Sequence, residues 1–474
     1  MLRRRRLRRR RRSPRHQKTA IRGFASKIRK MVSIANIRRA SSIAICVLGT
    51  LLTQARAGRS QAIPVTPTFY RDVSPILEKH CQNCHRPGEM AFPLMTADQA
   101  TSRARAIRES VVSKKMPPWL ADPTVGQFAN DPSLSNDEIK ILAAWADAGG
   151  HAGNPHDAKP PRAWPKGWNI PAPDAVLDMP QAISIPSHGD IDYTYEIIPT
   201  GFRQDRWVNM AEFRSSSSEH VHHAVVYIRP PDSKWLRGAP VGVPFTAETL
   251  KREQDRRDAM WTTSDMLLVY APGSAPEIYG PGMAKLIPAG SDLVIQMHYM
   301  AMGHAARDLS GVGLIFAKQP PKQQVLTLQL TNDHFVIPPR VDDYRVEARG
   351  ILPSDTTLLG FFPHMHWRGK RFEYNVIHPD GRIEPLLKVR WDFEWQLNYR
   401  LAEPRFLKAG TMLQAVAWYD NSSHNPHNPD PNEEVRWGEQ TYEEMMVGFF
   451  DIAVPPDTDK RKYFNPGSGP TPPR

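Results

Sequence analysis

"SEHVHHAVVY", residues 218–227, sets His220, His222 and His223 within four positions of a run that otherwise reads as a β-strand. Strand-forming residues close it, Val225, Val226 and Tyr227, and the run carries no Gly or Pro. Three imidazoles so close suggest a metal ion, because neutral imidazole is a ligand for zinc, copper, iron and nickel alike. Successive side chains on a regular strand point to opposite faces. His222 and His223 can therefore reach one ion only if the chain bends or bulges there.

Working outward, short alternating or apolar runs bounded by turns recur from about residue 176 to 455. They are "YTYEIIP", "HAVVYIR", "SDLVIQMHYM", "KQQVLTLQL", "RVEARGILP", "TTLLGFF", "RFEYNVIHPDGR" and "MLQAVAWYD". Such spacing predicts β-sandwiches. The segment is long for one and comfortable for two, so a boundary is placed near "AKQPPKQQ" (317–324), giving sandwiches at 176–320 and 321–455. In "FFPHMHWRGK", His364 and His366 stand at i and i+2, which on a strand puts both rings on one face. His298 lies mid-strand in "VIQMHYM". "TYEEMMVGFF" presents Met445 and Met446 after a pair of glutamates. A strand methionine is ordinarily core filler, but a thioether is also a soft ligand that favours Cu(I) over zinc.

The front of the chain is of another kind. The 474 residues carry a net charge of +13, yet residues 1–57 hold 18 Lys and Arg and no Asp or Glu, so the chain beyond them is acidic. The basic stretch "MLRRRRLRRRRRSPR" is followed by the apolar "SSIAICVLGTLL" (41–52) and by "ARA" (55–57). This order predicts a signal peptide with a basic extension over 1–57, rather than a nucleic-acid arm. Met31 is an alternative start to Met1. Export to the periplasm or medium, with no stable membrane span after cleavage, follows.

Only three cysteines occur, Cys46, Cys81 and Cys84, and Cys46 lies in the signal. The other two sit in "HCQNCH" (80–85), the C-x-x-C-H signature of covalent haem c attachment with His85 as axial ligand. A zinc site would want a second cysteine pair, and a thioredoxin-like motif a βαβ context. "YRDVSPILEKHCQNCH" reads as a helix entering the haem site. "SNDEIKILAAWADAGG" (135–150) reads as a closing helix, with Ser135 and Glu138 as a capping box and Gly149–Gly150 as its stop. Met116 in "KKMPPWLADP" is the expected sixth ligand, with Met95 and Met90 as alternatives. The fold expected is thus multidomain. A small all-α cytochrome c domain (67–150) carries one covalent haem. A Pro/Gly-rich linker (151–175) leads to two all-β, jelly-roll-like sandwiches, and a disordered tail ends the chain (456–474).

"VHHAVVY", "IQMHY", "HMHWRGK" and "EEMM", in that order, resemble the copper type II, ascorbate-dependent monooxygenases, the family of peptidylglycine α-hydroxylating and dopamine β-monooxygenases. The resemblance covers roughly 176–455. It implies two sandwiches, each holding one copper, that face each other across a solvent-filled cleft. His222, His223 and His298 would hold the electron-transfer copper, and His364, His366 and Met445 the catalytic one. His220 matches no ligand. The implied reaction hydroxylates a substrate C–H bond with O2, each copper supplying one electron. The electrons would come from ascorbate or another redox protein, and the fused haem suggests an internal donor.

Two departures matter. The mature chain has no cysteine left for the disulfides of the animal members. Where peptide-hydroxylating members carry an Arg, an Asn and a Tyr to clamp a substrate carboxylate, this chain has Phe362, Val447 and Phe449. A carboxylate buried there without partners is disfavoured, so a small apolar or aromatic substrate is expected and a glycine-extended peptide is not. Two other readings compete. One is a non-catalytic copper-binding or electron-transfer protein. The other is a zinc hydrolase, which lacks an acid beside the histidines as in H-E-x-x-H. His424 and His427, in a polar turn-rich stretch (419–441), are expected to be solvated.

Overall fold

The computed structural model describes residues 66–246 and 265–463, which lie in one compact unit. The signal-peptide expectation for 1–57 lies outside the described residues. The chain is mostly β-sheet with few helices. All eight runs quoted above fall on strands: Thr194–Pro199, Val221–Arg229, Asp292–Tyr299, Gln323–Thr331, Tyr344–Ile351, Thr356–His364, Gly369–Ile377 and Met412–Tyr419. Among the described residues, no helix is long and apolar enough to cross a membrane.

Three sheets carry the architecture. A five-stranded sheet holds Val221–Arg229 and Asp292–Tyr299 side by side, antiparallel. A four-stranded sheet is built around Gly369–Ile377 and Met412–Tyr419. A nine-stranded sheet runs past both, because Met283–Ile287 pairs with Arg206–Arg214 on one side and, in parallel, with Gln323–Thr331 on the other. The edges of the proposed sandwiches are therefore joined by one continuous sheet.

Alternation sorts the side chains into separate cores. On Val221–Arg229, Ala224, Val226 and Ile228 enter one core with Val208, Leu293, Ile295 and Leu314. Val225 and Tyr227 point the other way, into a cluster with Tyr193, Tyr195, Phe362, Val447 and Phe449. The second core lies within the second sheet pair, around Phe361, Phe372, Tyr374, Tyr419 and Phe450. The middle cluster glues the two halves together. Each fully buried aliphatic or aromatic side chain there contributes roughly 1.5–3 kcal/mol.

The helical segment has its own small core of Phe69, Val73, Leu77, Ile107, Leu142 and Trp145. Its entry helix starts as a π-turn, Phe69–Val73, and continues as Ser74–His80. Asn136–Asp147 closes the segment, with the Ser135–Glu138 capping box formed in both directions. The segment does not stand apart. Residues 119–131 leave the helices and join the second sheet pair, where Leu120 is part of the core. Asp122 N donates to Lys388 O at 2.8 Å, and Ala129 N to Arg400 O at 2.8 Å.

Two stretches rest on partners elsewhere in the chain. The Pro/Gly-rich stretch after the helices lacks long elements but is an ordered strap. Asn169 N donates to Glu212 Oε2 at 2.6 Å, Arg86 Nη2 to Asn169 Oδ1 at 2.9 Å, and Arg86 stacks on Trp164. Of the tail expected to be disordered, residues 464–474 lie outside the described residues; before them Lys460–Tyr463 is a short helix and Lys460 pairs with Asp265 at 3.0 Å. The apolar and charged partners of both stretches lie far off in sequence, where composition gives no sign of them.

Candidate metal centres

His222, His223 and His298 come together. One ring nitrogen of each lies within 4.8 Å of the others. A bulge makes this possible. His298 pairs with His223, but the next residue, Tyr299, pairs with Val221, so His222 is the extra residue in the ladder. The bulge turns His222 toward its neighbour's side instead of the opposite face. Nδ1 of His222 and Nδ1 of His223 stand 3.1 Å apart. That is close to the ~3.3 Å edge of a tetrahedron with bonds of about 2.0–2.1 Å. Nδ1 of His298 is buried with no hydrogen-bond partner. A buried imidazole nitrogen without a hydrogen-bond partner fits the role of a metal ligand.

His364 and His366 form a second pair, with ring centroids 5.3 Å apart. Each ring is fixed by its Nδ1. That of His364 lies 2.8 Å from Gln396 Oε1, and that of His366 is 3.3 Å from the carbonyl oxygen of Glu443. A carbonyl oxygen only accepts, so both rings carry their proton on Nδ1 and leave Nε2 as a lone pair. Nε2 of His366 is buried without a partner. Orientation of a ligand imidazole by hydrogen bonding its other nitrogen is the usual arrangement in metal sites. Met445 lines the same cavity as these two rings. Met446 packs wholly inward, in the second core.

The loop that presents Met445 is held by residues the sequence reading did not single out. The Glu444 carboxylate accepts from His366 N at 2.9 Å and from Arg368 N at 2.5 Å. Burial pushes its pKa up to about 8, against the pull of those amides and of the Arg368 guanidinium. Arg368, itself buried, donates to Asn421 Oδ1 at 2.8 Å and to the Tyr442 carbonyl at 2.7 Å. Tyr419 Oη donates to the Met445 carbonyl at 2.7 Å. Only the Glu pair preceding Met445 hinted at this.

Burial keeps every one of the five imidazoles neutral. His222 and His364 are pushed down to about 4 and His298 to about 3; His223 and His366 are held well below the usual range. A neutral ring is the form that ligates.

Among the described residues no solvent-filled cleft separates the two groups. His223 and His364 are 6.4 Å apart, centroid to centroid, and both line a cavity of about 50 Å³. The cause is the apolar middle cluster. Tyr193, Tyr195 and Tyr227 meet Phe362, Val447 and Phe449 across the junction and close it. Among the described residues the lining includes one acid, Glu439, and no Lys or Arg. A larger cavity of about 330 Å³ shares Met266, Phe362 and Phe449 with it.

Cys81 and Cys84 are free thiols, and His85 Nδ1 lies 2.9 Å from the Phe92 carbonyl, which leaves its Nε2 available. Met116 is half-buried just beyond the helix Ala104–Val112. Cys84 faces the five-stranded sheet and shares a recess with Met90, Tyr270 and Gly273. A Cβ on Gly273 would lie 2.9 Å from Cys84 Sγ. Tyr270 pairs in register with Ala224, the neighbour of His223. His424 and His427 are exposed, as expected of a solvated loop.

The fold and site define a largely β protein with histidine clusters able to hold a metal ion. No protein-family model matches the chain, and no curated protein does. Among solved structures, the chain is similar at 8% identity to infectious bursal disease virus, Gt strain (61% of this chain, 74% of that one, TM-score 0.16) and to the VP2 subviral particle of that virus (62%, 76%, TM-score 0.17). It is also similar at 8% identity to Bacillus subtilis oxalate decarboxylase (60%, 80%, TM-score 0.14). Likenesses at this level carry no argument.

Proposed function

We propose that this protein is an exported copper-dependent monooxygenase that hydroxylates a C–H bond of a small apolar or aromatic substrate, with electrons delivered through a covalently attached haem. The observation that carries the reading is that His223, His364, His366 and Met445 line one small chamber, with His222 and His298 ring to ring with His223 beside it. His222, His223 and His298 would hold one copper; His364, His366 and Met445 would hold the other. Copper bound there would supply one-electron chemistry with O2, and the thioether favours the reduced ion.

The chain's own groups do the rest. Gln396 and the Glu443 carbonyl keep the proton of the H-x-H rings on Nδ1. Glu444 ties the Met445 loop to the backbone of His366 and Arg368. Tyr193, Tyr195, Phe362 and Phe449 exclude water. With no cation among the described lining residues, a substrate carboxylate would find no partner among them, which supports an uncharged substrate. The 330 Å³ cavity behind Phe362 and Phe449 offers the space for it. Cys81, Cys84 and His85 would hold haem c, with Met116 as sixth ligand. Cys84 rests against the sheet that bears His223, which supports a haem held there passing electrons to the first histidine cluster.

The second reading is a copper-binding electron carrier that hydroxylates nothing. The small size of the chamber favours it, since 50 Å³ holds no organic substrate beside the rings. Metal analysis of the haem-loaded chain tests the first reading: one iron and two coppers per chain are expected, with one copper lost in His366→Ala. O2 consumption coupled to hydroxylation of an aromatic substrate then separates enzyme from carrier. Iron with zinc in place of copper, after copper loading, would overturn both.

A further inference from the structure

His220, the histidine of the opening motif that neither centre uses, sits in a cluster of its own. Ligand atoms of Glu219, His220 and His304 lie within 4.8 Å of one another. Glu219 Oε1 is 3.2 Å from His304 Nε2 and 3.8 Å from His220 Nδ1. The Glu219–His304 spacing is close to the ~3.3 Å ligand–ligand edge expected for tetrahedral bonds of about 2.0–2.2 Å. The rings of His220 and His304 meet edge to face at 4.8 Å.

An exposed Glu–His pair alone is an ordinary surface contact worth little. It does not account for His220, which is wholly buried and keeps Nε2 without any hydrogen-bond partner. The turn that carries this ring is firmly built. Asp308, also wholly buried, accepts from Ser215 Oγ at 2.7 Å, Ser216 N at 3.0 Å and Ser217 N at 3.2 Å. Its other oxygen accepts from Tyr299 Oη at 2.9 Å and Ser310 Oγ at 2.6 Å. Ser217 Oγ in turn lies 2.9 Å from His220 Nδ1. A ligand ring held from behind by a hydroxyl, on a turn held by a buried carboxylate, is how metal sites are supported. Glu219 and His304 are more than half exposed, so an ion has a way in.

We infer that Glu219, His220 and His304 form a third metal site, for a zinc-class divalent cation bound by two imidazoles and a carboxylate. Its position gives it a purpose. Glu219 and His220 immediately precede the strand Val221–Arg229, and His304 follows shortly after the strand Asp292–Tyr299. Met300 N already donates to the His220 carbonyl at 2.8 Å. An ion here clips together the two strand ends that supply His222, His223 and His298, next to the bulge that turns His222. In a chain whose only described cysteines belong to C-x-x-C-H, such a clip takes the place of a covalent cross-link.

The test is zinc binding to the full haem-loaded chain, counted per chain at equal free zinc in wild type, His304→Ala and Glu219→Gln. Both substitutions are at exposed positions, so folding is retained. The readout is the difference between wild type and variant, which does not depend on what the three-histidine centre holds. Expected is one zinc fewer in His304→Ala, at least a tenfold weaker third ion in Glu219→Gln, and a zinc-dependent rise in Tm that His304→Ala loses. Equal zinc counts in wild type and His304→Ala would overturn the site. An unchanged Tm response in the variant would overturn the clip.

Discussion

The two histidine centres lie side by side yet are made in opposite ways. The first is local. Two neighbouring strands and one bulge place His222, His223 and His298, and no distant loop is needed. The second is assembled from three stretches far apart in sequence. The strand end at His364–His366, the loop with Gln396 and the loop with Glu444 and Met445 are tied together by side-chain hydrogen bonds, added to the ladder pairing of His364 with Val447. A centre built on adjacent strands is positioned by the sheet itself. A centre built from loops needs a carboxylate and an amide to hold it, and should therefore be the easier to loosen from outside its ligand set.

The largest effect separates the two by ligand removal. His298→Ala should lose one copper per chain and at least ~100-fold in turnover, while the second centre keeps its metal. Metal analysis together with turnover checks this; loss of both ions would mean that the centres are one cooperative site. Next comes pH. The five buried histidines have folded pKa values below their ordinary one, so the unfolded chain takes up protons first as pH falls below about 6.5. Stability of the metal-free protein then drops from about pH 6.5 toward 4, by on the order of 3 kcal/mol for a ring pushed down to about 4, such as His364. Glu444 and Glu196, raised by burial to about 8 and about 7, pull the other way over part of that interval. The histidine share is accordingly read as the difference between wild type and His364→Phe in urea unfolding at pH 7 and pH 5.

Smaller again is Glu444→Ala. It leaves the buried amides of His366 and Arg368 without their acceptor, at a cost of about 1–3 kcal/mol. Copper affinity of the second centre should fall ~10–100-fold, with the first unchanged. Equal weakening of both in a copper titration would erase the contrast between them. The smallest is Gln396→Leu, which removes only the hydrogen bond that fixes the His364 ring. About tenfold weaker binding at the second centre is expected, with Tm nearly unmoved.

How much of this could be read from the sequence follows the same division. The strands with clear alternation were legible, and so was the need for a bulge at His222, because two adjacent histidines on one ion contradict the two-residue period. Arg206–Arg214, Tyr399–Leu407 and Val447–Val454 were not singled out. Tyr399–Leu407 is mostly exposed, carries Pro404 and pairs at a sheet end, so it lacks the apolar run of a buried strand. Gln396, Arg368 and Glu444 had no signal of their own, since a lone polar residue looks the same on a surface as behind a ligand. The closure of the cleft was also invisible. Phe362, Val447 and Phe449 showed an apolar wall, but not that three tyrosines would come to meet it.

The stretch 119–131 carries a last consequence, for how the gene product can be cut. Trp119 and Phe128 pack against Tyr399, Leu120 completes the second core, and backbone bonds join Gln127 and Ala129 to Arg400 and Ala402. Cys84 meanwhile leans on the first sheet. The front segment is thus a brace fastened at both ends across the two β-halves. Excising it to obtain a minimal catalytic fragment would strip a sheet edge and bare an aromatic floor, so the shortened protein should aggregate rather than report on what the helices contribute.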